Sequence, residues 1–105
     1  MKTPDVILKC DTVIPFLKVV SNSTRLRILC ILMEGECRVG QIQEMLGAKQ
    51  SYVSQQLKYL KTRGFLDSRR EGTQIYYQLV DDKFPQVYNM LRSIFKDTSG
   101  KASSR

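Results

Sequence analysis

The sequence predicts one mainly α-helical domain with a small β-hairpin over residues 1–96, and three observations lead to this fold class. Apolar residues make up 42% of the 105 residues, as is typical of a folded globular domain. They recur every three or four positions along most of the chain, as in amphipathic helices. Between residues 74 and 79 they instead alternate with polar residues, as in a strand. Residues 97–105, rich in Ser, Gly and Lys, are expected to form a disordered tail.

Two helices are expected in the first third of the chain. The first has apolar residues three or four positions apart between Val6 and Leu17. Pro15 lies inside it and removes one backbone donor, which predicts a kink or the start of a second short piece. A cluster of capping residues at positions 21–24 precedes the second helix. Residues 26–33 of that helix are apolar on almost every side, so it should lie at the centre of the fold.

A pair of short helices joined by a tight turn follows. The first is amphipathic from Val39 to Leu46 and is closed by Gly47. The second carries Val53, Leu57 and Leu60 on one face. Two short helices connected in this way form a helix-turn-helix pattern.

The period of the sequence then changes from about 3.6 to 2, which predicts a hairpin. Its strands cover residues 66–70 and 74–79, with Glu71-Gly72 as the turn. An amphipathic helix from Phe84 to Phe95 closes the domain. Four helices, a hairpin and a last helix give the order α-α-α-α-β-β-α of a winged helix-turn-helix.

Composition excludes most catalytic classes. The chain has no histidine, which removes the commonest general base and the commonest metal ligand. It also lacks a Gly-rich phosphate loop and a paired-carboxylate motif, so no enzymatic activity is expected. The formal net charge of +7 instead suggests a polyanionic partner. Residues 48–80 hold six basic and two acidic residues, so the positive charge is concentrated there.

Features that are absent from the sequence bear on the location of the protein and on the role of its cysteines. The chain has neither a secretion signal nor an apolar run long enough to cross a membrane, which predicts a cytoplasmic protein without a membrane partner. Cys10, Cys30 and Cys37 form no CxxC pair, which argues against a zinc ribbon. The three thiols are therefore either core residues or a reactive or metal-sensing set.

Polar residues around the second helix of the pair and on the hairpin are candidates for contact with double-stranded DNA. Amides and hydroxyls at the N-terminal end of such a helix are placed to reach bases, whereas basic residues on a hairpin reach phosphates or the minor groove. The candidates are Gln50, Ser51, Tyr52, Ser54, Gln55, Gln56 and Lys58 on the helix, and Arg69, Arg70, Thr73 and Gln74 on the hairpin.

Three stretches resemble the ArsR/SmtB family of bacterial repressors, and most closely its sulfide- and redox-responsive branch. They are LKVVSNSTRLRILCIL (17–32), YVSQQLKYLKTRGFLDSRREG (52–72) and IYYQL (75–79), and the resemblance covers about residues 6 to 96. It implies a homodimer joined through its first and last helices, which binds a palindromic operator until an inducer releases it. The chain departs from the family pattern in Asn22-Ser23, which replace Asp-Pro, and in Gln55-Gln56, which replace a His pair.

The family's best-known metal sites are missing from this sequence. In the stretch aligned with the family's metal box, residues 36–42, Arg38 and Gly40 stand at the two ligand positions. The family's C-terminal sites use His, which this chain lacks. Sensing of zinc, nickel or cobalt through those sites is therefore excluded.

The resemblance leaves two interpretations of the thiols. Cys30 occupies the position of the second-helix cysteine of the redox-responsive branch, in which case its partner thiol would be Cys10 or Cys37. Alternatively, Cys10 and Cys37 resemble the thiolates of arsenic and antimony sensors, and As(III), Sb(III), cadmium or Cu(I) would be the inducer. All three cysteines are also compatible with simple core positions, since free cysteine is often buried.

Sequence reasoning thus favours a DNA-binding repressor that needs no cofactor and responds to sulfane sulfur or an oxidant at Cys30. One alternative is a soft-metal sensor, and another is a winged-helix DNA-binding protein without a small inducer. An RNA-binding or structural role is compatible with the charge alone.

Overall fold

A computed structural model describes residues 4–100 of the chain. The elements, in chain order, are α1 (Asp5–Val20), α2 (Ser23–Met33), β1 (Cys37–Arg38), α3 (Val39–Leu46), α4 (Gln50–Thr62), β2 (Leu66–Glu71), β3 (Gln74–Leu79) and α5 (Lys83–Gly100). The predicted fold class, helical with a hairpin before the last helix, is confirmed. No helix in this part of the chain has a segment long and apolar enough to cross a membrane.

Two helices differ from their predicted extents. Helix α1 continues through Pro15 without a break, so the second short piece allowed by the sequence does not form. Helix α5 runs to Gly100, four residues beyond the predicted domain boundary at 96. The helix continues because no proline or glycine interrupts residues 96–99. Residues 101–105 of the predicted tail lie outside the described residues.

The core lies where α2, α3 and α4 meet. Ile28 and Leu29 of α2, Ile42 of α3, and Val53 and Leu57 of α4 are fully inaccessible to solvent. The predicted apolar face of α4 is therefore the buried one, whereas Met45, part of the predicted apolar face of α3, is 60% exposed. The remaining apolar side of α2 is only half-buried, because α5 covers it incompletely.

The hairpin belongs to a three-stranded antiparallel sheet with the order β1-β3-β2. The added strand is β1, in which Cys37 pairs with Tyr77 and Arg38 with Tyr76. The sequence did not predict this strand, since two residues are too few for an alternating pattern. Strand β1 joins the segment before α3 directly to the hairpin.

The turn of the hairpin lies one residue later than predicted. Glu71 pairs with Gln74, so the turn residues are Gly72 and Thr73 rather than Glu71 and Gly72. Gly72 has φ of 64°, in the left-handed region where glycine is strain-free. Arg70 therefore lies within the ladder, paired with Ile75, one residue before the Glu71–Gln74 pair that closes the turn.

Glycine ends the first helix of the helix-turn-helix, as predicted. Gly47 has φ of 63° and its N–H donates to the Gln43 carbonyl at 2.8 Å. This left-handed residue turns the chain so that α4 begins only three positions later, at Gln50. The tight connection fixes the start of α4 on the surface of the domain.

Candidate nucleic-acid interface and thiol pocket

Helix α4 presents a polar face to solvent. Its apolar side is anchored by Val53, Leu57 and Leu60, none of which is accessible. On the other side, four of the predicted DNA contacts are exposed and Ser54 is half-buried; the four are Gln50, Ser51, Gln55 and Lys58. The amides and hydroxyls are concentrated in the first two turns, where a recognition helix reaches base edges.

Two other predicted DNA contacts, Tyr52 and Gln56, also interact with the start of α2. The Tyr52 hydroxyl lies within hydrogen-bonding reach of Thr24 and Asn22, and these neighbours lower the pKa of the phenol. The amide oxygen Oε1 of Gln56 accepts from Nη1 of Arg25 at 3.2 Å. These two side chains therefore join the recognition helix to the rest of the domain.

Arg25 was not singled out by the sequence analysis, although it makes the most extensive polar contacts between helices. Its Nε donates to the Val19 carbonyl at 2.8 Å and its Nη2 to the Lys18 carbonyl at 3.1 Å. The guanidinium carbon lies 4.3 Å from the centre of the Tyr59 ring. One side chain thus contacts the end of α1 and the flank of α4 while belonging to α2.

The hairpin, or wing, presents Arg70, Thr73 and Gln74 to solvent. Arg69 is also exposed, but its guanidinium is held by two carboxylates. Its Nη2 lies 2.7 Å from Oε2 of Glu36, and its Nη1 lies 3.0 Å from Oε1 of Glu71.

These carboxylates raise the pKa of Arg69, mainly through the hydrogen bonds from its guanidinium. By contrast, Arg70 forms no ion pair among the described residues. Arg70 is therefore the more available of the two wing arginines for a phosphate.

The three cysteines lie in different environments. Cys10 on α1 is exposed, Cys30 on α2 is half-buried, and Cys37 on β1 is buried. Cys30 and Cys37 line one pocket of about 430 Å³, and Cys10 is not part of its wall. The other lining residues are Ile31, Glu34, Gly35, Glu36 and Met45.

Both pocket thiols are held in the neutral form. Burial raises the pKa of Cys30, and a hydrogen bond with Tyr88 opposes this only in part. Burial also raises the pKa of Cys37, and the neighbouring Glu36 carboxylate adds to the effect. The Sγ of Cys37 lies 3.7 Å from the Gly35 carbonyl oxygen, to which it donates a weak hydrogen bond.

Cys10 and Cys37, predicted as metalloid ligands, do not line a common pocket in this structure. Within the described chain, no group of three Cys, Asp or Glu side chains is arranged to hold a metal ion.

These features define a winged helix-turn-helix protein with an exposed recognition helix, and comparisons with known proteins agree. Residues 22–68 match the model of the bacterial regulatory protein, arsR family. The biofilm growth-associated repressor of Xylella fastidiosa is 37% identical over 95 residues, which are 90% of this chain and 83% of that protein. The transcriptional activator HlyU of Vibrio cholerae is 32% identical over 79 residues, or 75% of this chain and 73% of the relative.

Solved structures give the same result. The crystal structure of the transcriptional repressor BigR from Xylella fastidiosa has a TM-score of 0.79 at 37% identity and covers 90% of this chain and 97% of its own. A homodimeric winged helix-turn-helix domain from Mycobacterium bovis, solved by NMR, has a TM-score of 0.73 at 26% identity. The match covers 95% of this chain and 93% of that domain. The chain belongs to the ArsR family of bacterial transcriptional regulators, as its sequence motifs indicated.

Proposed function

We propose that this protein is a dimeric repressor that binds a palindromic operator and is released when Cys30 and Cys37 are oxidised or persulfidated. The observation that carries the sensing part is the shared pocket, where the two thiols line one cavity of about 430 Å³. A cysteine pair within one subunit can form an internal bond without a metal or a cofactor. The family membership, the exposed face of α4 and the named repressor relatives support the DNA-binding part.

Dimer formation is supported by apolar surface on the first and last helices. Leu17 on α1 and Ile94 on α5 are 52% and 62% exposed, and several other large apolar side chains on each helix are exposed to a similar extent. An apolar groove of about 280 Å³ lies between α5 and the ends of α1 and α2. A second copy would cover this surface, as in the relative described as homodimeric.

The proposed chemistry is a two-electron oxidation of the two pocket thiols by a persulfide donor. Each pocket thiol first loses its proton to solvent. The Cys30 thiolate then attacks the outer sulfur of the donor R–S–SH, which forms a Cys30 persulfide and releases the donor as R–S⁻. The Cys37 thiolate then attacks the inner sulfur of that persulfide. A Cys30–Cys37 disulfide forms, and hydrosulfide leaves with the electrons.

The switch would act at a junction between two surfaces. Cys30 lies on α2, which packs against α4, and it faces Tyr88 of α5 on the other side. Cys37 lies on β1, which pairs with the wing. Drawing the two sulfurs together shifts α2 against β1. A coupling free energy of ~3 kcal/mol between disulfide formation and operator binding lowers operator affinity more than a hundredfold.

The test measures binding to the chain's own promoter DNA by the reduced protein, before and after treatment with glutathione persulfide, hydrogen peroxide or arsenite. Parent protein and Cys10→Ser should both lose at least a hundredfold in affinity with the persulfide. Cys30→Ser and Cys37→Ser should bind as the parent does when reduced and lose most of the response. Cys10→Ser is the matched control, because its thiol lies outside the pocket.

Mass spectrometry of the treated parent should identify a peptide pair linked through Cys30 and Cys37. A response that requires Cys10 and Cys37 but not Cys30, with arsenic retained by the protein, would replace the proposal with the metalloid sensor. If all three single variants respond like the parent, the cysteines are core residues and the thiol switch is wrong.

A further inference from the structure

Arg25 joins three helices through contacts of different kinds. It belongs to α2, and it donates to the carbonyls of Lys18 and Val19 at the end of α1. On the other side it donates to the Gln56 amide and covers the Tyr59 ring, both on α4. The planar fork of guanidinium donors fixes all these groups relative to one another.

The contact with Arg25 also determines how the Gln56 amide is oriented. A guanidinium group only donates, so the amide oxygen of Gln56 must face it. The amide nitrogen then points away and makes no hydrogen bond within the described residues. Gln56 is half-buried, and its free group is a pair of N–H donors rather than a mixture of donor and acceptor.

The apolar side of α4 supplies a coarser constraint. Burial of Val53, Leu57 and Leu60 sets which side of the helix faces the core, but the hydrophobic effect is non-directional and fixes the exact rotation of the helix less sharply. The strength of a hydrogen bond, by contrast, depends steeply on the angle at its hydrogen atom. The polar contacts along the Tyr52, Gln56 and Tyr59 side of α4 therefore fix the exact rotation at which its outward face is presented.

We infer that Arg25 is a positioning residue for DNA recognition. It sets the rotation of α4 against the end of α1 and holds the Gln56 amide as a donor towards an acceptor on DNA, such as guanine O6 or N7. This inference rests on the proposed operator binding, because it assigns a role in sequence discrimination.

The experiment compares Arg25→Gln and Arg25→Lys with Arg27→Gln. Arg27 is exposed on the same helix and makes no polar contact among the described residues. Arg27→Gln therefore removes one positive charge, as Arg25→Gln does, without removing the guanidinium contacts between helices. The quantity measured is the ratio of the dissociation constants for random and promoter DNA at one salt concentration. Both Arg25 variants should lower this ratio about tenfold, whereas Arg27→Gln should weaken both DNAs equally and leave the ratio unchanged.

A second pair of variants separates positioning from stability. Gln56→Ala should lower the ratio by a similar factor, and adding Arg25→Lys to it should lower the ratio little further, because the two side chains act together. Circular dichroism identifies any variant that fails to fold. If Arg25→Gln does not fold, the ratios measured for Arg25→Lys and Gln56→Ala test the inference. Equal ratios for the folded Arg25 variants and Arg27→Gln would overturn the inference. If the parent itself does not distinguish its promoter from random DNA, the proposed function fails instead.

Discussion

Gln55 is the exposed amide at the centre of the outward face of α4. Its neighbour Gln56 is held by Arg25, but Gln55 makes no hydrogen bond among the described residues and keeps both its donor and its acceptor. A glutamine in this state can pair with adenine through two hydrogen bonds. Gln55 is therefore the side chain from which direct base readout is expected first.

Replacing Gln55 with alanine should lower the preference for promoter over random DNA about tenfold, since a good base contact contributes ~1–3 kcal/mol of discrimination. Competition binding with both DNAs measures this ratio. Gln78→Ala is the control, because Gln78 is an exposed amide on β3 away from α4. If Gln55→Ala and Gln78→Ala discriminate equally well, α4 does not read bases through this residue.

The raised pKa values of Cys30 and Cys37 predict how fast the thiols react. A thiol with pKa above its ordinary value near 9 is less than about 1% thiolate at pH 7, and only the thiolate is nucleophilic. Alkylation by iodoacetamide, followed by site-resolved mass spectrometry, should accelerate about tenfold for each pH unit from 7 to 8.5. A rate at either thiol that levels off below pH 8 would contradict the burial described above.

At the scale of elements, the wing carries two neighbouring arginines with different partners. Arg69 is neutralised by Glu36 and Glu71, whereas Arg70 has no carboxylate partner in the described chain. Each phosphate contact contributes about one unit to the slope of log affinity against log salt concentration. The two residues should therefore respond differently to the same substitution.

Arg70→Ala should weaken promoter and random DNA alike and reduce the salt slope by about one unit. Arg69→Ala should leave the slope nearly unchanged, because its charge is already compensated within the protein. Titrations between 50 and 200 mM salt, a range over which such slopes are resolved, measure both. Equal losses of slope for the two variants would mean that Arg69 leaves its carboxylates to bind DNA.

Elements with a long regular pattern could be predicted from the sequence. The apolar period of Val53, Leu57 and Leu60 placed α4 and its exposed face correctly, since local periodicity determines which side is buried. Strand β1 escaped prediction because it is two residues long and depends on pairing with Tyr76 and Tyr77, far along the chain.

The candidate site was predictable to a similar degree. Gln50, Ser51 and Gln55 lie on the outward face, as their spacing required. The contact between Arg25 and Gln56 joins residues 31 positions apart, and no local pattern encodes it. The shared pocket of Cys30 and Cys37 likewise depends on how the chain turns between α2 and β1.

At the scale of the whole molecule, the exposed apolar residues of α1 and α5 predict a dimer that depends on its concentration. A charge placed in this surface should oppose association, since it would have to be desolvated. Leu91 lines the groove between α5 and the ends of α1 and α2 and is 47% exposed, whereas Val80, in the connection before α5, is 49% exposed and lies outside the groove. These two residues offer a matched pair.

Leu91→Glu should weaken dimerisation at least tenfold and lower promoter affinity with it, because a palindrome is read by two recognition helices about 34 Å apart. Val80→Glu should leave both unchanged. Sedimentation equilibrium at micromolar concentration measures the association. A parent protein that sediments as a monomer under these conditions would contradict the dimer.

Strand β1 gives the molecule a short route between its thiol pocket and its wing. Cys37 pairs with Tyr77 of the wing, and Glu36 beside it holds Arg69. Neither of these two contacts involves a side chain of α4. Under the proposed thiol switch, the residues that read bases and the residues that connect the pocket to the wing are therefore different ones.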